Sequence, residues 1–552
     1  MNLAAWGMRY GLVVLLAASL PYATAKAREV VGDMQRSVAT TTAIDWQTFD
    51  ATVEHARSTF DVPGIAIAVI KDGRILHARG YGVREIGRPE PVDADTLFAI
   101  ASNTKAFTSA SLSILADDGK LSLDDRVIDH LPWFRMGDAY VTREMRLRDL
   151  LVHRSGLGLG AGDLLYWPET TYSTREIVER LHDVPATGGF RTQYAYDNIL
   201  YGVAQLVIEA ASGQTYAQFL QSRVFDPLQM RHTRFNSVHL RDDDTNVASG
   251  HAKSDFSRLG TVPRMSWSNN AGAGGIYSSV NDLARWMRVQ LDGGVISAGD
   301  GPGKETRLFS AARQKAMWSL VTPIPIPEPA VPELAPMRPN FSGYGEGWSL
   351  SDYRGRKLVW HTGGWPGMVS RLTLVPEEKL GIVVLTNQEV GAAFHAVTLH
   401  ALDLMLGASS STSAQTDWIA AYAKSLAATQ GKAEESWRKH VDARDAKSRP
   451  SLPLSGYAGT WRDPWYGDVV LRQNGRALEI QFAKTAQLLG DLEHWQHDTF
   501  IVRWRDRALN ADAFVTFMLD VDGKPREARM QAISPLTDFS FDFQDLRLTP
   551  VK

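Results

Sequence analysis

The order of strand and helix patterns along the first 410 residues constrains the fold more than any other feature. Two β-rich runs within residues 62–82 flank Asp72-Gly73, and such a dipeptide between strands is typical of a hairpin. Strand patterns return at 357–388, whereas much of 97–291 has helical periodicity. This order predicts an antiparallel sheet built from both ends of the segment, with a helical layer inserted between them.

At 552 residues, the chain exceeds the ~250–300 residues at which a single hydrophobic core stops growing. A charged helical pattern at 411–452 ends in a proline-containing linker, and the helical periodicity then gives way to strand patterns. Short alternating strands with Asn-Gly and Asp-Gly turns follow at 453–552 and predict a small all-β barrel or sandwich. We therefore predict an α/β (α+β) domain at 44–410, a helical linker and a C-terminal all-β domain.

Residues 1–25 have the three parts of a secretory signal peptide: a basic start, an apolar run at 11–20 and small residues up to Ala25. The apolar run is shorter than the ~20 residues that span a bilayer, which favours a cleaved signal over a membrane anchor. We expect cleavage after Ala25, a flexible lead at 26–43, and a periplasmic or secreted protein that has no membrane span after cleavage.

Composition excludes several classes of protein. The chain has no cysteine, which excludes disulfides, thiolate nucleophiles, thiolate metal sites and a lipid anchor on cysteine. The formal net charge is −3, whereas nucleic-acid binding by charge requires a basic excess. Neither a Gly-x-Ser-x-Gly elbow nor a His-Glu-x-x-His motif occurs, so an α/β-hydrolase and that class of zinc protease are unsupported.

A Ser-x-x-Lys pair occurs at Ser102 and Lys105, where the chain enters a predicted helix. Residues three apart share a helix face, so the hydroxyl and the amine can meet. A serine becomes a nucleophile when a base takes its proton, and burial favours the neutral, basic form of lysine. The helix N-terminus also places the Ser102 N–H where an oxyanion would form. Alone, such a pair is more often a capping serine and a surface lysine.

A second candidate pair is Tyr196 and Asn198, just before an amphipathic helical pattern. A tyrosine can carry the proton between nucleophile and leaving group, and Asn198 can bind a substrate carbonyl. The competing interpretation is a buried tyrosine beside an N-capping asparagine, which is the commoner arrangement for an isolated motif.

The third candidate motif is His361-Thr362-Gly363-Gly364, at the end of a strand pattern. Its glycines let a substrate backbone approach the strand closely, and the Gly364 N–H can be a second oxyanion donor. His361 offers a switchable charge or a hydrogen bond to a substrate carboxylate. A glycine pair in an ordinary loop is the default interpretation of this motif when it stands alone.

Three further features near these motifs are weaker. Trp365, Pro366 and Met368 either wall an apolar subsite or pack in the core, and the sequence leaves both interpretations open. The glycine-rich stretch 156–162 lacks Gly-x-Gly-x-x-Gly spacing and is interpreted as a loop near the site. His153 is expected to be structural rather than catalytic.

The three motifs occur in one order with wide gaps, as in the signature of β-lactamases and penicillin-binding proteins. With LRDLLVHRSGL at 147–157, AGGIYSSVNDLARWM at 273–287 and YGEGWSL at 344–350, the chain resembles the class C β-lactamases, D-Ala-D-Ala carboxypeptidases and related esterases and aminopeptidases. The resemblance covers roughly residues 45–406 and implies a serine β-lactamase-like fold. The module from residue 453 resembles the lipocalin-like domain often appended to such hydrolases.

The resemblance implies a mechanism. Ser102 forms an acyl-enzyme, Lys105 and Tyr196 share the role of base, and Tyr196 protonates the leaving group. The N–H groups of Ser102 and Gly364 form the oxyanion hole, while Asn198 and the histidine motif bind substrate. No metal or organic cofactor is implied. Whether the lysine or the tyrosine is the dominant base stays open.

The chain departs from true class C β-lactamases at His361, where those enzymes carry lysine. Histidine there is more typical of the family's peptidases and some esterases. We therefore predict a peptidase that cleaves small or non-standard peptides, such as D-residue or linearised cyclic, microcystin-like peptides. A carboxylesterase is the alternative, and a β-lactamase or a sensor that acylates without turnover is less favoured. The sequence does not decide the substrate, the oligomeric state or the role of the C-terminal domain.

Overall fold

The computed structural model describes residues 44–241, 243–297, 305–407 and 416–551, so the predicted signal peptide and flexible lead, residues 1–43, lie outside the described residues. The strands in chain order are β1 Gly64–Lys71, β2 Arg74–Gly82, β3 Phe98–Ala99, β4 His251–Ser254, β5 Arg258–Thr261, β6 Tyr277–Ser278, β7 Val295–Ser297, β8 Thr306–Arg307, β9 Thr322–Pro323, β10 Ser342–Tyr344, β11 Ser349–Tyr353, β12 Arg356–Trp365, β13 Met368–Val375, β14 Leu380–Thr386, β15 Gly459–Asp463, β16 Gly467–Asn474, β17 Ala477–Phe482, β18 Leu489–Gln496, β19 Thr499–Trp504, β20 Ala513–Leu519, β21 Pro525–Ala532 and β22 Thr549–Pro550. The helices are α1 Trp46–Thr59, α2 Thr104–Asp117, α3 Val127–His130, α4 Ala139–Glu144, α5 Thr174–Glu179, α6 Ile199–Ser212, α7 Tyr216–Leu220, α8 Asp226–Leu228, α9 Ala271–Gly274, α10 Val280–Leu291, α11 Ala311–Met317, α12 Gly391–Met405 and α13 Trp418–Asp442.

The large sheet combines strands from both ends of the first domain, in the order β2-β1-β14-β13-β12-β11-β10-β9. Neighbouring strands are antiparallel, and the long-range pairing begins where Ile65 lies opposite Thr386. Asp72 and Gly73 both have positive φ, as the tight turn between β1 and β2 requires. The predicted antiparallel sheet with strands from both chain ends is therefore confirmed.

Both faces of this sheet are covered, which is why β1 reads as a continuous apolar run. Alternate side chains of a strand point to opposite faces. One core takes Ala66, Ala68 and Ile70, and the other takes Ile65, Ile67 and Val69.

A different set of helices packs on each face of the sheet. Helices α1, α12 and α13 contribute apolar residues to the core on one face, and α2, α6 and α10 contribute to the other. Every residue from Thr104 to Leu115 is buried, as expected for a helix of small and apolar residues placed inside a domain. The inserted helical layer that the sequence predicts is thus present. No helix in the described part of the chain is both long and apolar enough to cross a membrane.

The C-terminal domain is a nearly closed antiparallel barrel. Its strand order is β21-β20-β19-β18-β17-β16-β15-β22, and a bridge between Ala528 and Leu548 brings the two ends of the sheet together. Helix α13 connects the domains. Its Trp418 is buried with α12 in one core, and just after its end Arg444 Nε donates to the barrel's Trp495 carbonyl at 2.7 Å.

A loop of the barrel docks into the first domain. Asp542 accepts hydrogen bonds from the backbone N–H groups of Gly162 at 2.6 Å and Leu164 at 3.1 Å. Ser540 Oγ donates to Asp163 at 2.9 Å. Asp542 and the two residues it holds are buried or nearly so, so water cannot replace these hydrogen bonds.

Asp542→Ala should loosen this contact. The substitution leaves two backbone N–H groups without an acceptor, at a cost of about 1–3 kcal/mol each. Hydrogen–deuterium exchange of peptides that cover residues 160–165 should therefore accelerate by at least about tenfold. Asp520 also accepts from two backbone N–H groups, but in an exposed turn of the barrel. Asp520→Ala should leave that exchange unchanged, and equal exchange in both variants would contradict the prediction.

Candidate active site

The backbone around Ser102 forms a tight turn against the sheet. Ala101 has φ of +47°, a left-handed conformation that costs an L-residue roughly 1–2 kcal/mol. The turn is fastened by two hydrogen bonds: Asn103 Nδ2 donates to Ser370 Oγ at 2.8 Å, and Ser370 Oγ donates to the Ile100 carbonyl at 2.7 Å. Helix α2 follows at once, so Ser102 lies at its N-terminus.

The amine of Lys105 lies at the centre of a buried cluster. Its Nζ is 2.9 Å from Ser102 Oγ, 2.7 Å from Asn198 Oδ1 and 2.9 Å from the Ala273 carbonyl oxygen. A neutral amine has two N–H bonds and one lone pair. With Asn198 and Ala273 accepting the two N–H bonds, the lone pair faces the Ser102 hydroxyl. This geometry suits removal of the serine proton.

The surroundings of Lys105 adjust its proton affinity. Burial lowers the pKa of Lys105 to about 7, because the charged form loses its hydration. The carboxyl groups of Asp163 and Asp197 oppose this effect. The lysine therefore changes protonation near neutral pH rather than near its ordinary value.

Tyr196 lies next to both groups. Its ring centroid is 4.8 Å from Lys105 Nζ. Burial raises the pKa of Tyr196 well above 10, and a hydrogen bond with Ser102 only partly offsets this rise. The phenol therefore holds its proton at neutral pH in the free protein and is placed to donate it.

His361 makes two hydrogen bonds within the protein. Its Nδ1 is 2.5 Å from the Thr362 carbonyl oxygen, which only accepts, so Nδ1 carries the proton. Nε2 then accepts from the Tyr344 hydroxyl at 2.7 Å. Burial, aided by the nearby Lys105, lowers the pKa of His361 to about 3. The ring is neutral at physiological pH, and neither nitrogen is free for a substrate carboxylate in this arrangement.

The two glycines of the third motif differ in the space that surrounds them. A Cβ at Gly363 would fall 2.2 Å from the Ile100 carbonyl oxygen, so only glycine lets β12 pack against the Ser102 turn. A Cβ at Gly364 would meet nothing within 4 Å. Strand β11 pairs with β12 only as far as Trp360, so within the described residues the edge of 361–365 has no strand partner on that side. An extended substrate backbone can pair with such an edge.

Sequence reasoning did not single out Asp163, although it ends the glycine-rich loop that was placed near the site. Its Oδ2 accepts from Asn198 Nδ2 at 2.7 Å and from Ser540 Oγ of the barrel at 2.9 Å. Burial raises the pKa of Asp163 to about 7. Asp163 thus orients the Asn198 side-chain amide, whose oxygen accepts from Lys105. In the sequence, only the position of Asp163 directly after the glycine-rich stretch 156–162 pointed to it.

His153 packs beneath the site. Its ring centroid is 4.2 Å from that of Tyr196, and its Nδ1 accepts from the Asp197 N–H at 3.2 Å. Burial lowers the pKa of His153 well below its ordinary value. A buried, neutral ring that supports Tyr196 agrees with the structural role expected for it.

A cavity of about 870 Å³ is lined by residues of the first domain and of the barrel. The described residues that line it include Gly364 but not Ser102, Lys105 or Tyr196. Its volume lies within the range of ligand-binding sites. Trp365 and Pro366 line the cavity, whereas Met368 packs in the core, where its sulfur accepts from the Ala99 N–H. The described residues contain no cluster of three or more His, Cys, Asp or Glu that could hold a metal ion.

Comparisons with known proteins agree with this geometry. Residues 49–405 match the family model described as Beta-lactamase, and residues 443–550 match a domain of unknown function, DUF3471. The chain is 28% identical to the Unguisins hydrolase ungD of Aspergillus violaceofuscus over 445 residues, which cover 77% of this chain and 76% of that protein. It is 27% identical to Protein flp of Staphylococcus aureus strain MW2 over 352 residues, which cover 62% and 63% of the two chains.

A solved structure shares the fold. The octameric penicillin-binding protein homologue from Pyrococcus abyssi superposes with a TM-score of 0.58 at 20% identity. The match covers 92% of this chain and all of that one. It therefore spans the barrel as well as the first domain.

Labelling of Ser102 by a fluorophosphonate should slow as the pH falls, because Lys105 becomes protonated. Asp163→Asn should move this fall in rate to lower pH by roughly one pH unit. The carboxylate raises the pKa of Lys105, so its removal leaves the lysine unprotonated down to a lower pH. The rate of labelling by a fluorophosphonate between about pH 5 and pH 9 measures the shift. Asp125→Asn removes a carboxylate that pairs with His130 at the protein surface and should leave the profile unchanged. An unmoved profile in a folded Asp163→Asn protein would refute the assignment.

Proposed function

The chain belongs to the β-lactamase family, and from that premise we propose that it is a serine peptidase acting through an acyl-enzyme at Ser102. The observation that carries the proposal is the position of Lys105, whose Nζ lies 2.9 Å from Ser102 Oγ while Asn198 and the Ala273 carbonyl are within hydrogen-bond distance of the same amine. The serine, the base and the residues that hold the base are all supplied by this chain.

In the first step, Ser102 Oγ attacks the substrate carbonyl carbon while its proton passes to Lys105. The oxyanion that forms accepts hydrogen bonds from the N–H groups of Ser102 and Gly364, a type of contact that supplies a large share of catalysis in acyl transfer. Tyr196 gives its proton to the leaving amine, and the proton held by Lys105 restores it. Water then attacks the acyl-enzyme with the same groups acting in reverse and releases the acid.

Two features favour a peptide substrate. In the part of the chain that the structure describes, the edge of residues 361–365 has no strand partner on one side, so a peptide backbone can add to the sheet there. Gly364 also lines a cavity of about 870 Å³, which offers space for a substrate next to this edge. The relative from Aspergillus violaceofuscus is named for hydrolysis of unguisins. We extend the proposal to small or non-standard peptides, including D-residue and linearised cyclic, microcystin-like peptides.

The neutral state of His361 disfavours the β-lactamase alternative. True class C β-lactamases resemble this chain but carry a cation at that position, and here the pKa of the histidine is about 3. A carboxylesterase would use the same groups and needs no backbone pairing, so it is the second candidate. The signal-like pattern of residues 1–25 supports the further proposal that the enzyme acts in the periplasm or outside the cell.

Acylation of Ser102 should rise about tenfold per pH unit below pH 7 and level off above it, because only the unprotonated Lys105 accepts the serine proton. Lys105→Arg keeps a positive charge but cannot act as a base, so fluorophosphonate labelling should slow at least about 10³-fold. Lys357→Arg alters a lysine that donates to the Trp318 carbonyl away from the site and should label normally. A pH-independent rate would contradict the role of Lys105.

A substrate screen distinguishes the candidate activities. A library of short L- and D-residue peptides and matched acyl esters should be incubated with the protein and with Ser102→Ala, with products detected by mass spectrometry. We expect peptide products that Ser102→Ala does not form. Ester hydrolysis with every peptide intact would replace the peptidase by an esterase. An acyl adduct on Ser102 that persists for hours would indicate a sensor.

A further inference from the structure

The barrel places one aromatic side chain beside the proton donor of the proposed mechanism. The ring centroid of Phe539 lies 5.9 Å from that of Tyr196, and the two ring planes meet at 84°. An edge-to-face contact of this kind is typical of packed aromatic pairs. Even so, 41% of Phe539 is exposed. Phe539 can therefore contact Tyr196 and a bound molecule at the same time.

The other groups close to the Tyr196 ring face the protein interior. The centroid of this ring is 4.8 Å from Lys105 Nζ, 4.2 Å from the His153 ring and 6.3 Å from the His361 ring. Lys105 and His153 are fully buried, and His361 is nearly so. Of these four neighbours, Phe539 is the exposed one, so it lies on the side of Tyr196 that a substrate can reach.

Buried contacts hold Phe539 in this position. The next residue, Ser540, donates from its Oγ to Asp163 at 2.9 Å. A Cβ at Gly160 would fall 2.7 Å from both Cδ2 and the carbonyl oxygen of Phe539, so glycine lets the barrel loop come this close. The Gly160 N–H in turn donates to the Tyr196 carbonyl at 2.8 Å. The fold therefore sets where the Phe539 ring lies relative to Tyr196.

Phe539 shares a cavity with a second exposed apolar side chain. Leu159 is 52% exposed, and both residues line a cavity of about 380 Å³. A single exposed apolar residue is ordinary on a protein surface, but an apolar patch in a cavity next to a reaction centre is typical of a binding site. The lining also includes the carboxyl groups of Asp538 and Asp545, which oppose a second negative charge there.

We propose that Phe539, together with Leu159, forms the subsite for the side chain of the residue that departs with the amine. Tyr196 gives its proton to the leaving nitrogen, so that nitrogen must come within hydrogen-bond distance of the phenol. The residue that carries the nitrogen then lies next to the Phe539 ring. The subsite therefore favours a large apolar residue over glycine at the leaving position. It rests on the proposed function, which assigns this protonation to Tyr196.

Competition between matched peptides tests the subsite. Acetyl-Ala-Ala-Gly and acetyl-Ala-Ala-Phe should be made with L- or D-alanine, each as the acid and as the amide, so that the two members of a pair differ only in the leaving residue. Early in the reaction of an equimolar pair, the ratio of the released residues gives the ratio of the two kcat/KM values. We expect phenylalanine to be released about tenfold or more faster than glycine, because its ring buries apolar surface against Phe539.

Variants locate the preference. In Phe539→Ala it should fall below about threefold, whereas Phe539→Leu keeps an apolar side chain and should retain most of it. Val521→Ala removes a fully exposed apolar side chain from the barrel turn between β20 and β21 and should leave the preference unchanged.

Fluorophosphonate labelling of Ser102 separates specificity from damage to the catalytic groups. The reagent loses fluoride and carries no leaving residue, so its rate in Phe539→Ala should stay within about twofold of that of the unaltered protein. If labelling and the release of both residues slowed equally, the ring would only support Tyr196, and the subsite would be overturned.

Equal release of glycine and phenylalanine by the unaltered protein would also overturn the subsite, as would a preference that survives in Phe539→Ala. The proposed function fails separately, when Ser102 is not labelled or when esters alone are hydrolysed. In the second case the methyl and benzyl esters of acetyl-Ala replace the peptides, and a benzyl preference that Phe539→Ala abolishes would keep the subsite in an esterase. No cleavage of any peptide or ester would end both proposals.

Discussion

The rest of the active site depends on the burial of one amine. In water a lysine would remain protonated at neutral pH, and burial lowers the pKa of Lys105 to about 7. The same burial leaves two N–H bonds that must find acceptors inside the protein. Asn198 and the Ala273 carbonyl accept them, and this directs the remaining lone pair at Ser102. Burial therefore accounts both for the lowered pKa of the Lys105 amine and for the direction of its lone pair.

Buried carboxyl groups next to that amine oppose this arrangement, since a negative charge raises the pKa of a lysine. Burial, however, also raises the pKa of both Asp163 and Asp197 to about 7. Near neutrality these groups and Lys105 titrate in the same range and share their protons. Asp163 can thus orient Asn198 without holding the lysine permanently charged.

Local patterns predicted more of the fold than of the site. The β1–β2 hairpin follows from two β-rich runs that flank Asp72-Gly73, and the Ser102 and Lys105 pair follows from a spacing of three on a helix. The hydrogen bond between Ser540 and Asp163 joins residues 377 positions apart, and no local periodicity encodes such a contact. For the same reason the sequence offered either a switchable charge or a hydrogen bond at His361 and did not indicate that burial lowers the pKa of this ring to about 3.

A series of hydrogen bonds connects the barrel to the amine of Lys105. Ser540 donates to Asp163, Asp163 accepts from Asn198, and Asn198 accepts from Lys105. Burial raises the pKa of Asp163 to about 7, and the hydrogen bonds from Asn198 and from Ser540 of the barrel oppose this rise. The barrel is therefore coupled to the orientation of the Lys105 amine, because a change at Ser540 acts on Asp163 and, through Asn198, on one of the two acceptors of that amine.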